Sequence, residues 1–165
     1  MKYFLMMGAV VLVAGCGTTK ITDIGVLHAI SVSEEVNKPM GELTNADFSK
    51  VTVLDLEMGP RSDASLKDVA KLQNLIVLDL RYARITDEGL KELTKLKKIE
   101  RISLFAATHK ITDAGIKELA KLKNLATLFL SYNYKITDEG LKHVAKLHNL
   151  HKLYLNNTKI TDEGL

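Results

Sequence analysis

The chain has 165 residues, 46% hydrophobic and 26% charged, with a net charge of +3. That length and balance fit one globular domain with a real core, exclude a disordered chain, and carry too little positive charge to require nucleic acid. Ten glycines, two prolines and one cysteine exclude collagen-like and proline-rich chains, an intrachain disulfide framework and a multi-cysteine zinc site.

Met1-Lys2-Tyr3 carries one positive side chain, and Phe4 to Val13 is an almost wholly apolar run. At about ten residues it falls well short of the ~20 that span a bilayer as a helix. A basic start, a short apolar middle and small residues after it read as a signal peptide over residues 1–15. Val13-Ala14-Gly15-Cys16 resembles the bacterial lipobox. The resemblance implies a diacylglyceryl group on the Cys16 thiol, cleavage before it and acylation of the new amino terminus. It also implies export and a lipid anchor to a membrane of the bacterial envelope, since more than one acyl chain makes anchoring stable. The alternatives are a secreted protein with a stray cysteine, and a catalytic thiol with no identifiable partner. Residues 16–20 form the lipidated cysteine and a tether, and Gly17 in place of Asp is compatible with outer-membrane sorting.

Residues 21–48 form a helical cap or a diverged repeat. Val26, Leu27 and Ile30, with a stop at Lys38-Pro39, predict a helix of about 12 residues. Leu43-Thr44-Asn45-Ala46-Asp47-Phe48 can open a shortened unit before the first strand.

From residue 49 onward the chain repeats itself. Ile85-Thr86-Asp87-Glu88-Gly89-Leu90 returns at Ile111, Ile136 and Ile160, spacings of 26, 25 and 24 residues. Ser62-Asp63-Ala64-Ser65-Leu66 is a degenerate earlier copy. In step with it run Leu54-Asp55-Leu56, Leu78-Asp79-Leu80, Ile102-Ser103-Leu104, Leu128-Phe129-Leu130 and Leu153-Tyr154-Leu155. Their alternation predicts strands. After each Thr-Asp, apolar residues recur at threes, as in Leu90, Leu93 and Leu96, which predicts a short helix. Thr86 caps its first turn, and Asp87 and Glu88 sit at the positive end of its dipole. Asn74, Asn124 and Asn149 are expected to stop the helices in the left-handed conformation. The recurring glycine is expected to let helix pack closely on strand. Length varies only between strand end and the next Ile, so insertions fall in that turn.

Each unit of about 25 residues is strand, turn, helix and return, and stacked units share one core. The stretch Leu75-Ile76-Val77-Leu78-Asp79-Leu80-Arg81-Tyr82-Ala83-Arg84-Ile85 resembles the leucine-rich repeat. The unit length and the helix start look like its cysteine-containing subtype, related to ribonuclease inhibitor. The resemblance covers residues 43–165, as four full units and part of a fifth. It implies an α/β solenoid, a horseshoe with a parallel sheet on the concave face and short helices on the convex face. The family's asparagine slot holds Gly59, Ala83, Ala107, Asn133 and Thr158, so only Asn133 can make the family's contact to the neighbouring backbone. The chain stops at Leu165 with Leu150, Leu153, Leu155 and Ile160 uncovered. Either it is a fragment of a longer repeat protein or another subunit closes the edge.

By the same resemblance the alternate strand residues line the concave face. The candidate partner-binding residues are Asp79, Arg81, Tyr82, Arg101, Phe105, Phe129, Tyr132, Lys152 and Tyr154. Aromatics facing outward suit a partner surface; side-by-side packing between rungs is the plainer explanation. Charge divides along the chain. Residues 21–63 hold three basic and eight acidic side chains, and residues 84–165 hold fifteen basic and ten acidic. The helix lysines read as a solvated convex face or as attraction to anionic lipid or another polyanion. His143, His148 and His151 lack metal-ligand spacing, and no catalytic constellation, metal site or cofactor motif appears. The expected function is a lipid-anchored envelope scaffold, not an enzyme, that binds a protein or peptide on its concave sheet. The alternative is a structural spacer that self-associates through its open C-terminal repeat.

Overall fold

The computed structural model describes residues 21, 26, 36–56, 62–107 and 110–165. The signal peptide, Cys16, the tether and most of the helix expected after residue 21 lie outside them, as do Glu57, Met58 and Gly59.

Among the described residues, five three-residue strands alternate with short helices. The strands are β1 (Val53–Asp55), β2 (Val77–Asp79), β3 (Arg101–Ser103), β4 (Thr127–Phe129) and β5 (Lys152–Tyr154). The helices are α1 (Asn45–Phe48), α2 (Asp63–Val69), α3 (Asp87–Leu93), α4 (Asp113–Leu119) and α5 (Asp138–Val144). All strand pairs are parallel, in the order β1-β2-β3-β4-β5. The register aligns Leu54, Leu78, Ile102, Leu128 and Leu153 across the sheet. Each helix carries the chain back to start the next strand beside the last, the connection a parallel pair requires.

The core is a stack of columns. Leu56, Leu80, Leu104 and Leu130 form one, and Ile85, Ile111 and Ile136 another; all are buried. Leu90 and Ile116 extend the core from α3 and α4, as Leu72, Leu96 and Leu122 do from the turns after the helices. The columns open at the last coil, where Leu150, Leu153, Leu155 and Ile160 are only partly buried and Leu165 is 85% exposed.

The helix starts carry the coil-to-coil bonding. The Thr86, Thr112 and Thr137 hydroxyls accept from the backbone N–H of Glu88, Ala114 and Glu139, which satisfies one orphan donor of each first turn. The aspartate that follows reaches along the solenoid. Asp87 accepts from the Thr112 backbone N–H at 2.9 Å through Oδ1 and from its hydroxyl at 2.7 Å through Oδ2. Asp63 holds Thr86 in the same way, Asp113 holds Thr137, and Asp138 holds Thr161. At the last of these, the Thr161 backbone and hydroxyl hold the Asp138 carboxyl below its ordinary pKa.

The recurring glycine serves this clamp. A Cβ on Gly115 would lie 2.3 Å from Asp87 Oδ1 and 2.8 Å from Leu90 Cδ1, and Gly89, Gly140 and Gly164 meet the aspartates before them in the same way. The close neighbour is thus the preceding helix, and the expectation of helix-on-strand packing is corrected.

The asparagines are corrected too. The positive-φ residues of the described repeats are Tyr82, Ala106, Tyr132 and Asn157, just after the strands. Their backbone bends there while the ladder continues, as in the bond from Tyr82 N–H to the Phe105 carbonyl at 3.0 Å. Asn74, Asn124 and Asn149 instead donate to the carbonyls of Ser49, Lys97 and Lys123 in the preceding coil. The helices end in tight turns, such as Leu96 N–H to the Leu93 carbonyl, a usual way to use their last carbonyls. Asn133 does make the expected contact: its amide donates to the carbonyls of Leu104 and Leu130, each at 2.8 Å.

Ahead of β1, Leu43, Phe48 and Val51 enter the same core. Asp47, 1% exposed, accepts from the Thr44 backbone N–H at 3.0 Å and its hydroxyl at 2.7 Å. Lys38 and Lys50 pair with it at 3.0 and 3.2 Å. Chiefly the Thr44 hydroxyl, with Lys38, holds its carboxyl far below the ordinary value of 3.8, against the opposing effect of burial.

Two predictions follow from these contacts. Gly to Ala inside a helix ordinarily stabilises by up to ~1 kcal/mol. Gly115→Ala should instead lower stability by about 1–3 kcal/mol through overpacking against Asp87. Gly41→Ala, with nothing within 4 Å of its added Cβ, should stay within about 0.5 kcal/mol; urea titration separates the two, and a stabilised Gly115→Ala contradicts the clamp. For Asp47, a depressed folded pKa means stability that is fully present above the unfolded value and lost progressively as pH falls from there through the folded value. Asp47→Asn should cost about 2 kcal/mol at pH 7, in line with lost charge-assisted bonds. The gap between wild type and variant should shrink steadily below about pH 4. A gap independent of pH would show that the carboxylate charge contributes nothing.

Candidate functional site

Successive strand residues point to opposite sides of a sheet. With the leucines turned to the core, two rows occupy the open face. One is Val53, Val77, Arg101, Thr127 and Lys152; the other is Asp55, Asp79, Ser103, Phe129 and Tyr154. Arg81 and Phe105 follow their strands, and the left-handed backbone at Tyr82 and Tyr132 places two more rings at the same margin.

A depression of about 480 Å³ lies over β2 to β4, lined by Val77, Leu78, Asp79, Arg81, Tyr82, Arg101, Ser103, Phe105 and Phe129. Six of the nine candidate residues therefore share one concavity. Tyr132 adjoins it through Phe105, with ring centroids 4.9 Å apart, and Tyr154 stacks on Phe129 at 4.3 Å and 4°. Lys152 stands outside it, exposed on β5. Val77 and Ser103 belong to the lining but carry no chemical signal beyond their place in the strand. Tyr134, 43% exposed with its ring 6.5 Å from Tyr132, is a further aromatic that the strand pattern misses. It lies in the turn that varies in length, outside the repeating positions.

The rings pack on one another and remain open to solvent. Tyr82 meets Phe105 edge-on at 5.7 Å, yet Tyr82 is 55% exposed and Tyr132 and Tyr154 are 40% and 42% exposed. Rung-to-rung packing thus fixes the rings without covering them. Such pairs contribute roughly 0.5–1.5 kcal/mol each and hold the surface rigid.

The charges are unevenly engaged. Arg81 Nε meets Asp79 Oδ2 at 2.7 Å, the Arg81 backbone N–H donates to Asp79 Oδ1 at 3.0 Å, and Arg81 Nη2 lies 4.0 Å from Asp55. Arg101 and Lys152 are exposed, and among the described residues neither forms a salt bridge. Among those residues no group of His, Cys, Asp and Glu is placed to hold a metal ion, and no helix is long and apolar enough to cross a membrane.

Comparison with known proteins bears on the fold. A family model described as leucine-rich repeats (2 copies) matches residues 123–165, and a leucine-rich-repeat model matches residues 71–93. Among solved structures, the chain is similar to internalin C2 of Listeria monocytogenes at 26% identity and a TM-score of 0.63, with 85% of this chain and 57% of that one covered. A second internalin of the same organism matches at 22% identity and a TM-score of 0.44, over 71% of this chain and 45% of that one. The chain thus spans a little over half the length of the first. No curated protein matches the sequence. In-register parallel strands, a helix returning from each, and the matched stretches lead to one conclusion: the chain carries leucine-rich repeats and folds as an α/β leucine-rich-repeat solenoid.

Proposed function

We propose that the protein is a recognition scaffold, without catalysis of its own, that captures a protein or peptide on the open face of its sheet. The observation that carries this reading is the depression over β2 to β4, bordered by rings that touch one another and still face solvent. Rings already held in place lose little freedom when a partner covers them, which is why aromatic anchors dominate interface energetics. A leucine-rich-repeat scaffold fits protein interaction in general. The helix start and the 24–26-residue unit support the cysteine-containing subtype.

The location belongs to the same proposal. The Val13-Ala14-Gly15-Cys16 stretch supports a lipid anchor at Cys16 and a place in a bacterial envelope, with the membrane reached through the acyl chains. A second reading, an envelope spacer that self-associates through the last coil, draws on the half-buried Leu153, Leu155 and Ile160. It predicts a mass that rises with concentration, where the scaffold reading predicts a constant one.

The test is capture of partners from envelope extracts by the full chain. Replacing Phe105, Phe129 and Tyr154 with Ala should weaken capture at least about 30-fold, the size of a hot-spot loss. The folded far-ultraviolet spectrum should persist. Undiminished capture contradicts the site. In the same cells Cys16→Ser should move the protein out of the membrane fraction and end its labelling by fatty acid; continued membrane retention contradicts the anchor.

A further inference from the structure

We infer that the partner segment is acidic, with a carboxylate set against Arg101 and an apolar side chain seated over Phe105 and Phe129. This rests on the scaffold reading and adds the chemistry of what it binds.

The argument comes from which charges are already engaged. At the β1–β2 end of the open face, Asp79 is bound twice by Arg81, which also approaches Asp55. One guanidinium there serves two carboxylates, so that corner keeps a net negative charge and directs an acidic segment away from it, toward β3 to β5. Across β3 to β5 the two rows hold Arg101, Ser103, Thr127, Phe129, Lys152 and Tyr154. The only charges among them are Arg101 and Lys152, both positive, both exposed, and neither in a salt bridge with a described residue. Arg101 lines the depression, between Val77 and Thr127 in its row, and shares that lining with the Phe105 and Phe129 rings. A guanidinium so placed presents its fork of donors to a carboxylate beside an apolar floor.

The layout favours a peptide over a polyphosphate. Lys152 lies two strands from Arg101, about 10 Å. With the reach of the long Arg, Lys and Glu side chains, that separation accepts carboxylates four residues apart on one face of an extended segment, about 13 Å, and it is too sparse to follow a phosphate backbone. The surrounding field has the same sign, since residues 84–165 carry fifteen basic and ten acidic side chains. Attraction of that kind raises association rate and weakens with salt.

The experiment uses three end-blocked peptides on the full chain: Glu-Ser-Phe-Ser-Glu-Ser, which places Glu, Phe and Glu on one face when extended, and its analogues with both Glu changed to Gln or to Lys. Fluorescence polarisation reads affinity. The Glu peptide should bind roughly 10- to 100-fold more tightly than the Gln peptide, the range for charge-assisted bonds, and the Lys peptide most weakly. Arg101→Gln should remove most of the advantage of the Glu peptide over the Gln peptide, with Lys152 retaining the remainder, and leave the Gln peptide unchanged. Equal binding of all three, no binding of any, or an unchanged Glu affinity in Arg101→Gln overturns the acidic partner. Failure of the scaffold reading shows elsewhere, as undiminished capture of envelope partners by the triple aromatic variant.

Discussion

The bond from an aspartate in one coil to the threonine that starts the next helix sets how the coils stack. Each carboxylate takes both the amide and the hydroxyl of that threonine, over sequence distances of 23 to 25 residues. The glycine two positions after the helix-starting aspartate leaves room for the preceding coil's carboxylate. With this contact repeated at one edge and Asn74, Asn124 and Asn149 bonded along another, a coil has a single register against its neighbour. The strands then align residue for residue, and the open face acquires its rows.

Magnitudes separate the sources of stability and of register. A buried leucine contributes roughly 1.5–3 kcal/mol relative to exposure, and several per coil are fully buried. A hydrogen bond contributes about 1 kcal/mol net. The columns of leucine and isoleucine therefore supply most of the stability. They are alike from coil to coil and discriminate poorly between alignments. The polar clamps add less energy but are satisfied in one alignment only, because a slipped coil would leave carboxylates and helix-start amides without partners. The rigid row of rings over the depression depends on that alignment.

Much of the fold was legible in the residues. The strand positions stood out because apolar-x-apolar segments recur at 24 to 26 residues, and that recurrence is the register observed. Asn133 was legible because one slot in the unit calls for a side-chain amide. Other features depend on partners that a single unit does not contain. The aspartates read as local dipole charges because their second threonine lies a full coil away. The helix-ending asparagines read as conformational stops because their acceptors, such as the Ser49 carbonyl, belong to the coil before. The candidate site divided in the same way. Alternation placed Phe129 and Tyr154 on the open face, but only three-dimensional packing shows that Asp79 is taken by Arg81 and that Lys152 stands apart from the depression. Tyr134 escaped because it sits in the turn whose length changes from unit to unit.

The most direct measurement of the clamp is a double-mutant cycle on Asp87 and Thr112, with each residue changed to Ala alone and together, and stability read by urea unfolding. Thr112→Ala removes the hydroxyl bond and keeps the amide one, so the single side-chain bond to the Asp87 carboxylate predicts a coupling of about 1–2 kcal/mol, and the double variant costs less than the sum of the singles. Strict additivity would contradict the account, since it would mean that the two side chains stabilise the solenoid independently and that something else fixes the stacking of its coils.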